Sequence, residues 1–360
     1  MKSLILTSSA WVLFTMSAFC QTDLSGLPPC GKEAAGRLVI QNLLARDYMT
    51  YHGTSREEGL HYAEACAAVG ALRLAGQLGD EALLEQLVRR YEAFLEEDNE
   101  LASTGHVDQN VVGIVPLQIY LQTGDERYLK AGLALADQQW EEPREDGLTS
   151  QTRFWIDDMY MVGMLQIQAF RATGNSRYAS RAARQLAAYI STLQQSNGLF
   201  YHGPEFHYHW GRGNGWVAVA LAEVLDSLPQ GHELWPVLME GYRHMMVTLL
   251  SYQAENGMWR QLIDYEYAWT ESSCTGMFAY AMAIGVDNGW LEGEEWSVAL
   301  AKAYRALCGH LDRAGNLREI CVGTGQRDDI EYYLNRPRTL GDLHGQAPFL
   351  WLVARTINGK

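Results

Sequence analysis

The same punctuation interrupts the first half of the chain three times. QLGDEALL (77–84), QTGDERYL (122–129) and ATGNSRYA (172–179) each carry a glycine, then Asp or Asn, then a renewed helical pattern. Glycine readily takes the left-handed conformation that ends a helix, and Asp or Asn caps the helix that follows. Between the breaks, apolar residues recur at helical spacing: Leu60, Ala63, Ala67, Leu72 and Leu74 before Gly79, then Leu83, Leu84, Leu87, Tyr91 and Phe94 after it. A chain written this way stacks antiparallel helical hairpins. Further helices are expected around 249–259, 278–291 and 296–311, with strand-like alternation confined to short pieces near NGLFYH and GNLREICV.

Repeated hairpins either run on as an open solenoid or close into a toroid. Here the units share only the breaker, and the segments that open their helices are aromatic and unlike one another. That predicts an all-α fold, a closed (α/α)6 barrel of about six hairpins with a pocket at one mouth. No Pro- or Ser-rich linker divides it, so one domain is expected over residues 30–360.

Charge narrows the partners. With 28 Lys and Arg against 43 Asp and Glu, the net charge is −15, the wrong sign for a nucleic-acid backbone or an anionic membrane surface. A few arginines in a cleft still suffice for a small anionic substrate. Residues 1–20 form a separate object. Lys2 precedes the run LILTSSAWVLFTMSAFC, short for a membrane span and suited to a secretory signal peptide. Ala18 and Cys20 fit the small-residue cleavage rule, which leaves Gln21 first in an exported, periplasmic or secreted protein; acylation of Cys20 is the rival. The remaining cysteines, 30, 66, 274, 308 and 321, are scattered and contain no CxxC, so neither a disulfide framework nor a zinc site is expected.

Four stretches carry the polar chemistry. In RFWIDDMYMVGMLQIQAF (153–170), Asp157 and Asp158 open an apolar helix and point about 100° apart, so they should not share one role. The ordinary reading gives one to a cap and the other to an arginine. In GHVDQN (105–110), Asp108 reads first as an N-cap, and alternatively as a second carboxylate at the mouth that holds Asp157. In NGLFYHGPEFHYHWGRGNGW (197–216), His202, His207 and His209 match no metal-ligand spacing, and the glycines lack the context of a phosphate loop. Three glycines in seven residues argue against a helix interior, so WGRGNGW reads as a loop leading into a helix. Trp210 and Trp216 suit the apolar face of a sugar ring, and Arg212 suits a carboxylate. In YYLNRPRTLGDLHGQAPFLW (332–351), His344 reads as a loop residue before the last helix.

Together these motifs resemble one family. HVD (106–108), WIDDMYM (155–161), FYHGP (200–204), WGRGNGW, ESSCTGMFAYA (271–281) and GDLHGQAP (341–348) occur in the order found in unsaturated glucuronyl and rhamnogalacturonyl hydrolases, glycoside hydrolase families 88 and 105, and are more like the latter. The resemblance spans roughly residue 35 to the C-terminus. It implies an (α/α)6 barrel and an enzyme that hydrates the 4,5-unsaturated uronic acid left by polysaccharide lyases. It further implies Asp157 as general acid/base, Asp108 as the second carboxylate, and His202, Trp210, Arg212, Trp216 and His344 as substrate-binding positions. No cofactor or metal is implied, the partner is an unsaturated uronate-containing oligosaccharide, and the assembly is a monomer or homodimer. HVDQN and the HYHW approach depart from the family's pattern, where the released sugar would bind. On the residues alone, a sugar epimerase using His202 and His344, a conventional glycosidase and a non-catalytic glycan-binding protein remain alternatives.

Overall fold

A computed structural model of the chain describes residues 31–50, 59–96, 101–102 and 105–358; the expected signal peptide, Cys20 and Cys30 lie outside them. In chain order the helices are α1 Lys32–Leu44, α2 Tyr62–Leu78, α3 Glu81–Arg90, α4 Val107–Asn110, α5 Ile114–Thr123, α6 Glu126–Gln138, α7 Asp158–Thr173, α8 Ser176–Leu193, α9 Gly211–Ser227, α10 Trp235–Ser251, α11 Ser272–Asp287, α12 Glu294–His310, α13 Ile330–Leu334 and α14 Leu343–Thr356. Two short antiparallel pairs join β1 Trp259–Arg260 to β2 Thr270–Glu271 and β3 Ile320–Cys321 to β4 Arg338–Thr339.

The three breakers do what their residues predict. Gly79, Gly124 and Gly174 have φ of 63°, 72° and 68°, the left-handed region that suits glycine. Behind each, the side chain of Asp80, Asp125 or Asn175 accepts a backbone N–H of the next helix, from Leu83, Arg127 or Arg177. Chain reversal at these points therefore needs no tertiary contact.

Burial sorts the helices into two rings. α8 buries one stripe, with Tyr178, Ala182, Leu186, Tyr189 and Leu193 facing inward and the opposite face in water. α7, α9, α11 and α14 are enclosed on all sides; α11 has no charged residue before its last, Asp287. The inner helices α2, α5, α7, α9, α11 and α14 pack each against the next, and α14 returns to α2 to close the barrel. The closing seam is tight: Trp351 Nε1 donates to the Cys66 carbonyl at 2.8 Å. α1, α3, α6, α8, α10 and α12 form the outer ring. This is the (α/α)6 barrel that the breakers and motifs imply. Among the described residues no helix is long and apolar enough to cross a membrane, and Cys66, Cys274, Cys308 and Cys321 are buried free thiols.

WGRGNGW differs from expectation. Trp210 is the N-cap of α9, and all three glycines lie inside the helix. A Cβ at Gly211 would meet the Arg260 carbonyl oxygen at 2.6 Å, one at Gly213 would meet Ile156 at 2.7 Å, and one at Gly215 would meet Met277 Sδ at 2.4 Å. The glycines remove side chains so that α9 can lie close against its neighbours. Asn214 completes the joint by accepting from the Phe200 N–H and donating to the Phe200 carbonyl, tying FYHGP to the helix.

Candidate active site

The inner helices run parallel, so their N-termini share one mouth. Backbone N–H groups there carry partial positive charge, a setting that favours anions. Around that mouth lie Tyr62 of α2, Asp108 of α4, Asp157 beside α7, Trp210 and Arg212 at the start of α9, and Asp342 and His344 at α14. Tyr62 marks the convergence: its phenol feels the charges of Asp108, Arg212, Asp157 and Asp342, on top of the burial that pushes its pKa up.

Asp157 sits at the N-cap position of α7 but makes no side-chain capping bond. Its Oδ2 is enclosed, with no hydrogen-bond partner among the described residues, while the side chain keeps 14% of its surface exposed. Burial, and then the neighbouring Asp158 charge, raise its pKa to about 6; Arg153 and Arg212 pull the other way. Asp158 points elsewhere, as the helical rotation requires. Fully buried, it accepts from Arg153 Nε at 3.1 Å, from the Arg153 backbone N–H at 3.1 Å and from Tyr189 Oη at 2.7 Å. Tyr189 Oη also receives the Phe154 N–H at 3.0 Å, and Phe154 is held at φ 56°, a strained value for a bulky residue. Asp158 thus organises the turn that presents Asp157.

The N-cap of α4 is His106, whose Nδ1 accepts the Asp108 N–H at 3.2 Å, so Asp108 is not the cap that its position suggests. Its carboxylate lies 3.5 Å from His106 Nδ1 and acts, like that of Asp157, on the Arg153 guanidinium. His202 is buried, with Nε2 3.9 Å from Asp157 Oδ2 and Nδ1 2.6 Å from Tyr333 Oη. Burial and the Arg212 charge depress its pKa to about 3, so the imidazole is neutral and the pair is no ion pair. Trp210 packs on His202 at 4.7 Å between ring centroids, and its indole Nε1 has no partner among the described residues.

Three other residues of the shortlist sit in surroundings that the sequence does not display. Arg212 is buried beneath Trp210, 4.9 Å from its ring, and its two terminal nitrogens donate to the Cys321 and Val322 carbonyls. Its fork is thus engaged with backbone, and only Nε is left without a partner. Trp216, in the second turn of α9, is wholly enclosed by Tyr160, Tyr62 and Trp351 and forms the floor under the mouth. His344 is in the first turn of α14, where Asp342 is the N-cap. Its Nδ1 is 2.6 Å from Asp342 Oδ1 and its Nε2 2.8 Å from Tyr62 Oη, so it reaches the mouth through Tyr62. His207 and His209 bond Pro204 and Asp264 separately, and no metal-holding cluster occurs among the described residues.

Sequence reasoning missed His61, Tyr62, Arg153 and Tyr333. HY at 61–62 opens the inner helix α2 just as WIDD opens α7, and that parallel is a usable signal. Tyr333, 131 positions from its partner His202, offers none.

At the opposite end of the barrel lies a polar cavity of about 440 Å³. There Glu223 Oε2 accepts from Arg171 at 2.6 Å, while its Oε1 accepts from Tyr280 Oη at 2.6 Å and from Arg73. These charges satisfy one another, whereas the carboxyl oxygen at the other mouth is unpaired.

The model of Glycosyl Hydrolase Family 88 matches residues 39–358, nearly the whole chain. The chain belongs to this family. It is therefore a glycoside hydrolase of the unsaturated glucuronyl/rhamnogalacturonyl hydrolase group. Among relatives, it is 23% identical to the unsaturated rhamnogalacturonyl hydrolase YesR of Bacillus subtilis over 269 residues, 69% of this chain and 76% of the relative. The fold matches a family 105 glycoside hydrolase of C. acetobutylicum with a TM-score of 0.77 and 22% identity, covering 89% and 98% of the two chains. It also matches the unsaturated glucuronyl hydrolase of Bacillus sp. GL1, with a TM-score of 0.70 and 18% identity over 90% and 95%.

Proposed function

We propose that this family 88 hydrolase removes a 4,5-unsaturated uronic acid from the non-reducing end of lyase-generated oligosaccharides, with Asp157 as general acid and then general base. Asp157 gives its proton to C4 of the enol ether, water adds its oxygen to C5, and the water's proton returns to Asp157. The hemiketal so formed opens and frees the next sugar. One observation carries the reading: a buried carboxyl with an unpaired oxygen and a pKa of about 6, which stays partly protonated near neutrality. Because one group serves both steps, the two-carboxylate spacing of ordinary glycosidases does not apply. Asp108 and the ring of helix N-termini would address the sugar hydroxyls and the uronate. An epimerase relying on His344 fits less well, since both of that ring's nitrogens are already engaged.

The test is loss of the ultraviolet absorbance of the conjugated double bond in lyase-digested pectin, ulvan and glycosaminoglycan oligosaccharides. Asp157→Asn should stop it with the fold intact. Turnover by that variant near the unaltered rate would refute the assignment.

A further inference from the structure

Tyr333 lies on α13, in the long excursion between α12 and α14, far in sequence from the helices that build the mouth. Its side chain is nevertheless fully buried against the site, with ring centroids 5.7 Å from His202 and 4.8 Å from Tyr208. A buried hydroxyl proton left without an acceptor is costly. The contact available to this one is His202 Nδ1, 2.6 Å away. A neutral imidazole that accepts at Nδ1 carries its own proton on Nε2. That nitrogen is buried, has no hydrogen-bond partner among the described residues, and stands 3.9 Å from the equally unpartnered Oδ2 of Asp157.

We infer that Tyr333 is a positioning residue: by donating to His202 Nδ1 it fixes the Nε2–H tautomer, which faces Asp157 Oδ2 and keeps the transferable proton on Oδ1. The chain Tyr333 Oη–H to Nδ1, then Nε2–H toward Oδ2, decides which oxygen of the acid delivers to substrate. With the opposite tautomer, Nε2 would present a lone pair and draw the acid's proton onto Oδ2, into the protein. The inference rests on Asp157 as the acid, and its test separates the two.

Nitrogen–proton correlation spectra of protein labelled with nitrogen-15 at histidine, with His202→Gln to assign the signal, read the tautomer directly. The unaltered protein should show His202 as Nε2–H. Tyr333→Phe should lose that bias and lower kcat roughly tenfold, the worth of one positioning hydrogen bond, with KM unchanged. An Nδ1–H tautomer in the unaltered protein overturns the inference, as does a Tyr333→Phe effect confined to KM or an unchanged kcat. Continued turnover by Asp157→Asn would instead sink the proposed function and leave the tautomer result standing.

Discussion

Asp158 accepts hydrogen bonds from Arg153 and Tyr189, while Oδ2 of its chain neighbour Asp157 has no partner among the described residues. Two adjacent residues of one type are thereby set to different work. Asp158, itself fully buried, is held by an ion pair to the half-buried Arg153, and Asp157 faces the mouth with its charged form disfavoured by burial. The unpaired carboxyl is a cost to the fold that the proposed chemistry requires.

A group that must be protonated to act sets an alkaline limb. We expect kcat/KM to fall as pH rises through about 6, the value to which burial and Asp158 lift Asp157. A profile flat from acid to well above neutrality would mean that another group supplies the proton.

Stability should carry the same signature. Because the folded pKa of Asp157 lies above its unfolded value, its proton-linked stability is complete in acid and is lost as pH rises through about 6. Asp157→Asn cannot ionise. The variant should be more stable than the unaltered enzyme by about 1–3 kcal/mol above neutrality, with the gap closing toward the ordinary carboxylate range near pH ~4. Urea denaturation at several pH values measures it, and a variant weaker at neutral pH would contradict it.

Asp158→Ala should do the reverse. It leaves Tyr189 Oη and the Arg153 guanidinium without their acceptor and releases the strained turn at Phe154. A loss of about 2–3 kcal/mol is expected, from the hydrogen bonds to Asp158 that go unmade and the ion pair that is broken. Residual activity should track the folded fraction. A stable but inactive protein would give Asp158 a chemical role instead.

Glycines with different surroundings should respond with opposite signs. Gly211→Ala places a methyl against the Arg260 backbone oxygen, which cannot rotate aside, and should cost about 1–3 kcal/mol while displacing Trp210 and Arg212. Gly309→Ala in α12 meets nothing within 4 Å and should gain up to about 1 kcal/mol from helix propensity. Thermal melts of the pair decide the matter.

The sequence by itself determined the hairpins, because a glycine C-cap followed by an Asp or Asn N-cap acts within a few residues of chain. It also determined the family, through motifs that open successive inner helices, and with it the shortlist of polar residues at the mouth. What it misjudged was set by approach between distant segments. The glycines of WGRGNGW looked unfit for a helix because the sequence does not display Arg260, Ile156 and Met277 pressing on α9. The backbone partners of Arg212 were hidden as well, because the Cys321 and Val322 carbonyls are 109 and 110 positions away. The division of labour between Asp157 and Asp158 likewise belongs to tertiary structure. Helical rotation sends the two side chains apart, but a carboxyl's pKa depends on the groups other elements bring within a few ångströms, and those are fixed only when the barrel closes.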